Sequence, residues 1–416
     1  MLESLLNAWR LPDLRKKLLF TALMIAIYRL GCFIPVPGVD VNAVAEMFNT
    51  GGVFDFYNLF SGGGLQRIAI FAMGIMPYIT ASIIMQLVTM AIPRLAALMK
   101  EGESGQKKVN QYTRYFTGVL AFIEAVGFVF LFRSYGAFPA DAPLNAMRFW
   151  LIVLALTVGA VLVMWMGELV TQRGIGNGIS LMIFASIVSG LPGGLQKLFS
   201  LNPAYWVLMA IVAVLVVAAI VYITEGQRRI PVQYAKRVVG RKVYGGQSTY
   251  LPLRINMAGV IPVIFASSVL LFPVTLAQMT PWGWAKSLSN AIGPATWWYI
   301  VAEVILIVLF TYFYTAVQFN PIDQADNLKK YGGFVPGIRP GRPTAAYLDR
   351  VLTRITFPGA LFLAAIVLLP TALIKGFDIP FYFGGTSLLI VVGVALDTMK
   401  QMEAQLLMRH YEGFLK

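Results

Sequence analysis

Cysteine and histidine are nearly absent from this sequence: one of each occurs among 416 residues, Cys32 and His410. One cysteine excludes an intramolecular disulfide, and Cys32 beside Gly31, at the end of an apolar run, reads as a small packing residue without redox function. One histidine leaves no metal-ligand cluster. No HExxH motif and no Gly-x-Ser-x-Gly elbow occurs either, so metal-dependent and serine-type hydrolysis have no residues to act through. Acidic residues are scarce, 19 against 33 lysines and arginines. Inside apolar runs the ionisable groups are Arg29, Glu124, Glu168, Glu303 and Asp397, too few and too scattered to build an intramembrane enzyme. The stretch RGIGNGIS, Arg173 to Ser180, lacks the spacing and the preceding strand of a phosphate-binding loop. Its glycines suit a tight connection between helices. A cleavable signal peptide is also lacking: LLNAWRLPDLRKK is amphipathic and basic and leads straight into the first apolar run, which is expected to be retained.

Apolar residues are abundant, at 58% with a mean hydropathy of +0.72, more than one soluble core requires. Runs of about 20 such residues, long enough for a hydrocarbon core roughly 30 Å thick, recur along the chain. They predict ten spans, at 18–36, 68–92, 112–132, 149–170, 179–192, 205–224, 256–276, 297–317, 355–374 and 382–399. The fifth is short, and crosses fully only if Ile175 to Gly178 join it. The net charge of +14 reads as membrane topology because of where it sits: 26 of the 33 basic residues lie before the first span, in alternate loops and in the tail, and six lie in the opposite loops. The positive-inside rule places both termini in the cytoplasm. Tryptophans at span ends, Trp150, Trp206, Trp282, Trp284, Trp297 and Trp298, read as interfacial anchors.

The predicted fold is therefore an all-α polytopic membrane protein. A cytoplasmic amphipathic segment, 1–17, precedes a half of five spans, 18–192. A second half of five spans, 193–399, and a cytoplasmic tail, 400–416, follow. Two halves of five have opposite orientation, which permits an inverted repeat. Two inner loops, 225–254 and 318–354, are long, basic and rich in Gly and Pro, and are where a soluble partner would act. Residues 53–67 break the pattern, because VFDFYNLF is too short to span and Ser61-Gly62-Gly63-Gly64 follows it. A re-entrant segment fits, with an external surface helix as the alternative. Irregular backbone at membrane depth requires protein or a wet cavity around it, so the re-entrant reading hints at a pore. A secondary transporter shares these traits, but it needs a midplane substrate or ion site that the scattered acids do not supply. Thr80, Ser82, Glu124 and Asn256 are polar groups within spans. Ile75 with Ile79, and Ile183 with Ile187, stand four apart on one helix face. Pattern alone assigns none of these a role.

Longer segments do. FAMGIMPYITASIIMQL (71–87), GELVTQRGIGNGISLMIFASIVSGLP (167–192) and NMAGVIPVIFASSVLLFP (256–273) resemble the bacterial SecY family of protein-translocase channels. So do the loop segments KRVVGRKVYGGQSTYLPLR (236–254) and NPIDQADNLKKYGGFVPGIRPGRPTAAYLDRVLTRITFPGA (320–360), and FYFGGTSLLIVVGVALD (381–397). The resemblance runs in order through nearly the whole chain. It implies a channel in a bacterial cytoplasmic membrane, without cofactor, opening across the membrane for secreted chains and sideways for hydrophobic ones. It implies SecE-like and SecG-like small subunits, a SecA-type ATPase, the ribosome, a translocating polypeptide with its signal sequence, and anionic lipids as partners. Carried over by residue, Ile75, Ile79, Ile183, Ile187, Ile264 and Ile390 would form the pore ring. Thr80, Ser82, Glu124 and Asn256 would hold the lateral gate. Residues 53–67, with Phe54, Phe60, Gly62, Gly63, Leu65 and Arg67, would be the plug. Lys236, Arg237, Arg241, Lys242, Arg339 and Arg342 would engage cytoplasmic partners.

Overall fold

A computed structural model of the protein describes residues 11–41, 44, 53–134, 136–138, 144–199, 202–234, 237–239, 242–244, 248–280, 282–293, 296–377 and 385–414. The chain divides into two compact units, one of Met1–Pro203, Ser267–Val301 and Val394–Lys416, the other of Ala204–Ala266 and Ala302–Gly393.

In the first unit, helix α1 (Pro12–Gly31) begins on Pro12, whose missing N–H costs nothing at that position, and carries Asp13 in its first turn and Arg29 in its last, each matched to the helix dipole. Leu19, Leu23, Ile27 and Leu30 form one exposed face, while Leu14, Thr21, Tyr28 and Gly31 are buried on the other. After α1 the chain forms a bridge between Pro35 and Ala69, and the short helix α2 (Val53–Phe60) follows. Helix α3 (Met76–Ala91) starts at Met76 and not near 68, because residues 61–75 take up buried turns. It ends where Pro93 disfavours helix at Ile92, and α4 (Pro93–Lys100) leaves at 104°.

Helices α5 (Glu103–Ser134) and α6 (Ala146–Arg173) are long and apolar. Gly174 to Asn177 turn the chain into α7 (Gly178–Phe199), with Gly176 in the left-handed region at φ 82°. Asn177 Oδ1 accepts from the amides of Ile179 and Ser180, capping α7, and Thr21 Oγ1 accepts from the Ile175 amide, which ties the connection to α1. RGIGNGIS is thus a helix-to-helix turn. Helix α7 is longer than the apolar run suggested, and continues through Pro192 to Phe199.

In the second unit α8 (Pro203–Glu225) precedes four strands, β1 (Gln227–Tyr234), β2 (Arg237–Val239), β3 (Lys242–Tyr244) and β4 (Ser248–Arg254). Strands β2 and β3 pair as a hairpin. Helix α9 (Ile261–Met279) starts in this unit and ends in the first, which also holds α10 (Gly283–Ala291). Helix α11 (Trp297–Gln318) runs the other way, into the second unit. There Asn320 caps α12 (Pro321–Lys330), its Oδ1 accepting from the Ile322 amide, before β5 (Gly333–Phe334) and α13 (Arg342–Phe377). The last helix, α14 (Gly385–Phe414), returns to the first unit, where Met402 packs with Leu14 and Ile175.

Strand β1 pairs antiparallel with β4, Ile230 opposite Leu251, and with β5, Gln233 opposite Phe334. The sheet order β4-β1-β5 therefore joins the two long basic loops into one folded body. Ile230, Leu253, Phe319, Val335, Leu348, Val351 and Leu352 form its core. These strands add to the all-α expectation; the architecture remains predominantly helical.

Among the described residues, α5, α6, α7, α8, α9, α11 and α13 are each long and apolar enough to cross a membrane, seven in all, and the bent pair α3–α4 would make eight. The first expected span, 18–36, is helical only to Gly31, and helix α1 starts before it, among the charges of Asp13, Arg15, Lys16 and Lys17. The tenth is helical from Gly385, and its first three residues lie outside the described ones.

Candidate functional site

Residues 53–75 are the most unusual part of the first unit. Past α2 the backbone abandons helix while staying buried, and a buried amide without a partner is costly, so its bonding accounts for its shape. Asn58 organises the turn: its Oδ1 accepts from the Gln66 amide at 3.0 Å, and its carbonyl accepts from the Gly63 amide at 2.9 Å. Ser61 Oγ accepts from the Leu65 amide at 3.1 Å. Further along, Ile70 donates to the Ile34 carbonyl and Val36 to the Ile68 carbonyl, which stitches the segment to the chain leaving α1. Ile68 has φ 46°, a conformation that a β-branched residue adopts only when its surroundings dictate it.

Side chains fasten the segment as well. Arg29 Nη1 donates to the Gly62 carbonyl at 2.8 Å, and Arg29 and Arg67 both lie against the Phe33 ring, at 5.3 and 4.2 Å. Gly62, at φ 65°, sits so close to α7 that a Cβ would come within 3.2 Å of Ser186 Cα. Phe60, Ser61 and Leu65 are fully buried, and Cys32 Sγ donates to the Ser61 carbonyl at 3.4 Å. On the other side Tyr57 donates its hydroxyl to Glu124 Oε2 at 2.9 Å, and its ring meets Phe128 edge-on. The side chain of Phe54, the remaining plug residue named from sequence, lies outside the described residues.

The six isoleucines are all buried, none more than 5% exposed. Ile75, Ile79, Ile183 and Ile187 belong to the first unit, Ile264 and Ile390 to the second. Ile75 caps the start of α3, and Ile79 lies one turn inside it. Of the four residues expected from sequence at a lateral gate, Thr80 is buried, Ser82 donates to its own helix at the Ile79 carbonyl, Asn256 donates to the Gly259 carbonyl, and Glu124 bonds Tyr57. None of these bonds links two of the four. The C-terminal end of α9 meets α5 where Met279 lies over Gly127.

Arg339 and Arg342 are exposed on the folded loop body, the Arg339 carbonyl accepting from Thr344 Oγ1. Arg237 and Lys242 lie on the β2–β3 hairpin, with side chains outside the described residues, as are Lys236 and Arg241 altogether. Of the in-span ionisable groups, Glu168 pairs with Arg114 at 2.7 Å. Sequence reasoning missed Tyr57, Asn58 and the seat of Arg29; a polar pair inside VFDFYNLF was the available signal.

Residues 69–399 match the family model named SecY. Over 100% of both chains the sequence is 49% identical to the protein translocase subunit SecY of Streptomyces scabiei. The chain belongs to the SecY family. Two solved structures extend this to the fold. One is a SecY described as having a plug domain that stabilises the closed state of the translocation channel and maintains a membrane seal. It has 21% identity and a TM-score of 0.64, with 94% of this chain and 92% of that one covered. The other is Sec61 in a canine ribosome-channel complex, at 19% identity and TM-score 0.60 over the same shares. The chain thus carries the SecY-type fold of a multi-pass membrane protein.

Proposed function

We propose that this chain is the channel-forming subunit of a bacterial protein translocase, which moves unfolded secretory chains across the cytoplasmic membrane and releases hydrophobic segments sideways into it. The family match over residues 69–399, with a relative matched over the whole chain, carries this reading. Ten spans in two halves of five, with both termini cytoplasmic, complete it, supported by the placement of 26 of 33 basic residues on one side.

The chemistry fits a conduit. Isoleucine at 75, 79, 183, 187, 264 and 390 would form a dry ring that yields around a peptide and offers it no binding group. Residues 53–67 would be the plug beneath that ring, a reading supported by the hydrogen-bonded turns that follow α2 and by the burial of Phe60, Ser61 and Leu65. Helices α3 and α9 would flank the lateral exit, with Thr80, Ser82, Glu124 and Asn256 along it. A conduit that binds nothing strongly cannot set direction, so a driver must dock outside. The loop body carrying Arg237, Lys242, Arg339 and Arg342 would receive it, whether a SecA-type ATPase or a ribosome. SecE-like and SecG-like subunits and anionic lipids would complete the assembly.

The test is reconstitution. Vesicles holding the purified chain with its co-purifying subunits, supplied with a SecA-type ATPase and ATP, should protect an unfolded precursor from added protease. Small-solute uptake without precursor protection would replace the channel reading with a secondary transporter.

A further inference from the structure

Glu124 is the residue whose surroundings depart most from what its position in a gate would require. A carboxyl group within a membrane span is expensive to bury and persists where a partner is built for it. Glu124 is 5% exposed, and the hydrogen bond it makes is to the Tyr57 hydroxyl, itself 3% exposed, on α2. Phe128, one turn along α5 from Glu124, packs edge-on against the same tyrosine ring at 5.3 Å. The donor thus comes from the plug segment, whereas the acceptor and the aromatic wall come from a span. At the far end of the segment the chemistry is reversed: there the span supplies the donor, Arg29, and the plug the acceptor, the Gly62 carbonyl.

This arrangement penalises one motion in particular. Loss of the Tyr57 contact leaves the buried Glu124 carboxyl without that donor, and loss of the Gly62 contact leaves the Arg29 guanidinium, among the described residues, with its contact to the Phe33 ring. Resting on the plug reading above, we propose that Glu124 and Tyr57 form a latch that retains the plug in the closed channel, with Arg29 and the Gly62 carbonyl as its second point. Glu124 is then a positioning residue for the seal. A chain in transit opens the channel when the carboxyl is hydrated or takes a donor from that chain as Tyr57 withdraws.

A double-mutant cycle tests this, read as chloride leak through vesicles reconstituted with the full chain and the subunits that purify with it. A hydrogen bond to a carboxyl group shifts the ratio of seated to displaced plug roughly tenfold or more. Tyr57→Phe and Glu124→Leu should each raise leak by about that factor, and the double variant should leak no more than the worse single one. Glu124→Gln keeps an oxygen for the tyrosine hydroxyl and should restore most of the seal lost in Glu124→Leu, which a general folding defect would not do. A variant lacking residues 57–65 separates the two levels of the argument. If it leaks while Tyr57→Phe and Glu124→Leu stay tight, or if their effects simply add, the latch is wrong and the plug stands. If it stays tight as well, the plug reading falls and the latch with it.

Discussion

A side chain that closes a peptide channel must fill volume without offering a bond, and all six positions proposed for the ring hold isoleucine. Burying one is worth roughly 1.5–3 kcal/mol, so a single polar replacement is enough to make a wet closed state accessible. Ile79→Asn and Ile390→Asn should therefore pass precursors with defective signal sequences, and the pair together should leak ions. If export stringency and leak both stay at wild-type level in a stably assembled protein, the constriction lies elsewhere. Gly62 makes a complementary case. Its φ of 65° costs an L side chain roughly 1–2 kcal/mol, and a Cβ there would press on Arg29 and on the α7 backbone. Gly62→Ala should unseat the segment, detected in a Cys32→Ser background as labelling of a cysteine placed at buried Ser61 by an impermeant maleimide from outside the cell. The six isoleucines could be proposed for a ring only through family resemblance, because their spacing is that of any membrane helix. The partner of Glu124 was not legible at all: Tyr57 is 67 residues away, and nothing local announces it.

At the scale of elements, long apolar runs were easy to read and their interruptions were not. Residues 68–75 are as apolar as the helix that follows, and composition cannot distinguish a helical turn from buried loop backbone bonded to the carbonyls of Gly64, Leu65 and Ile34. The basic loops looked independent because the β1–β5 pairing joins Gln233 to Phe334, far along the chain, and the two-residue β5 has no strand pattern of its own. Their common core makes a sharp contrast between two substitutions. Leu253→Ala removes a fully buried side chain and should cost about 2–5 kcal/mol, making the loop body protease-sensitive and abolishing partner docking. Arg339→Glu alters an exposed charge and should abolish docking, and with it export, while protease resistance and membrane insertion are retained. Normal export by Arg339→Glu would remove that residue from the docking surface.

For the whole molecule, the charge distribution predicts a topology that can be mapped directly. Reporters fused near residues 104, 245 and 335 should read cytoplasmic, and those near 58, 140 and 285 external; one inner loop reporting outside would overturn the ten-span reading from that point onward. Membrane residence and helical class were legible from hydropathy because lipid imposes long apolar helices whatever the function. Channel function was not, since it depends on contacts that hydropathy does not encode. The buried turns before α3 carry a last consequence. At 16 residues α3 is about 24 Å long, roughly 6 Å short of a typical hydrocarbon core. In the proposed channel the shortfall would fall to bonded turns that cannot lengthen as a tilted helix can by standing upright, so a thicker bilayer would load the seal mechanically. Sealed vesicles of increasing acyl-chain length should therefore show rising leak at constant protein content, and the membrane's own thickness would help decide how firmly this channel stays shut.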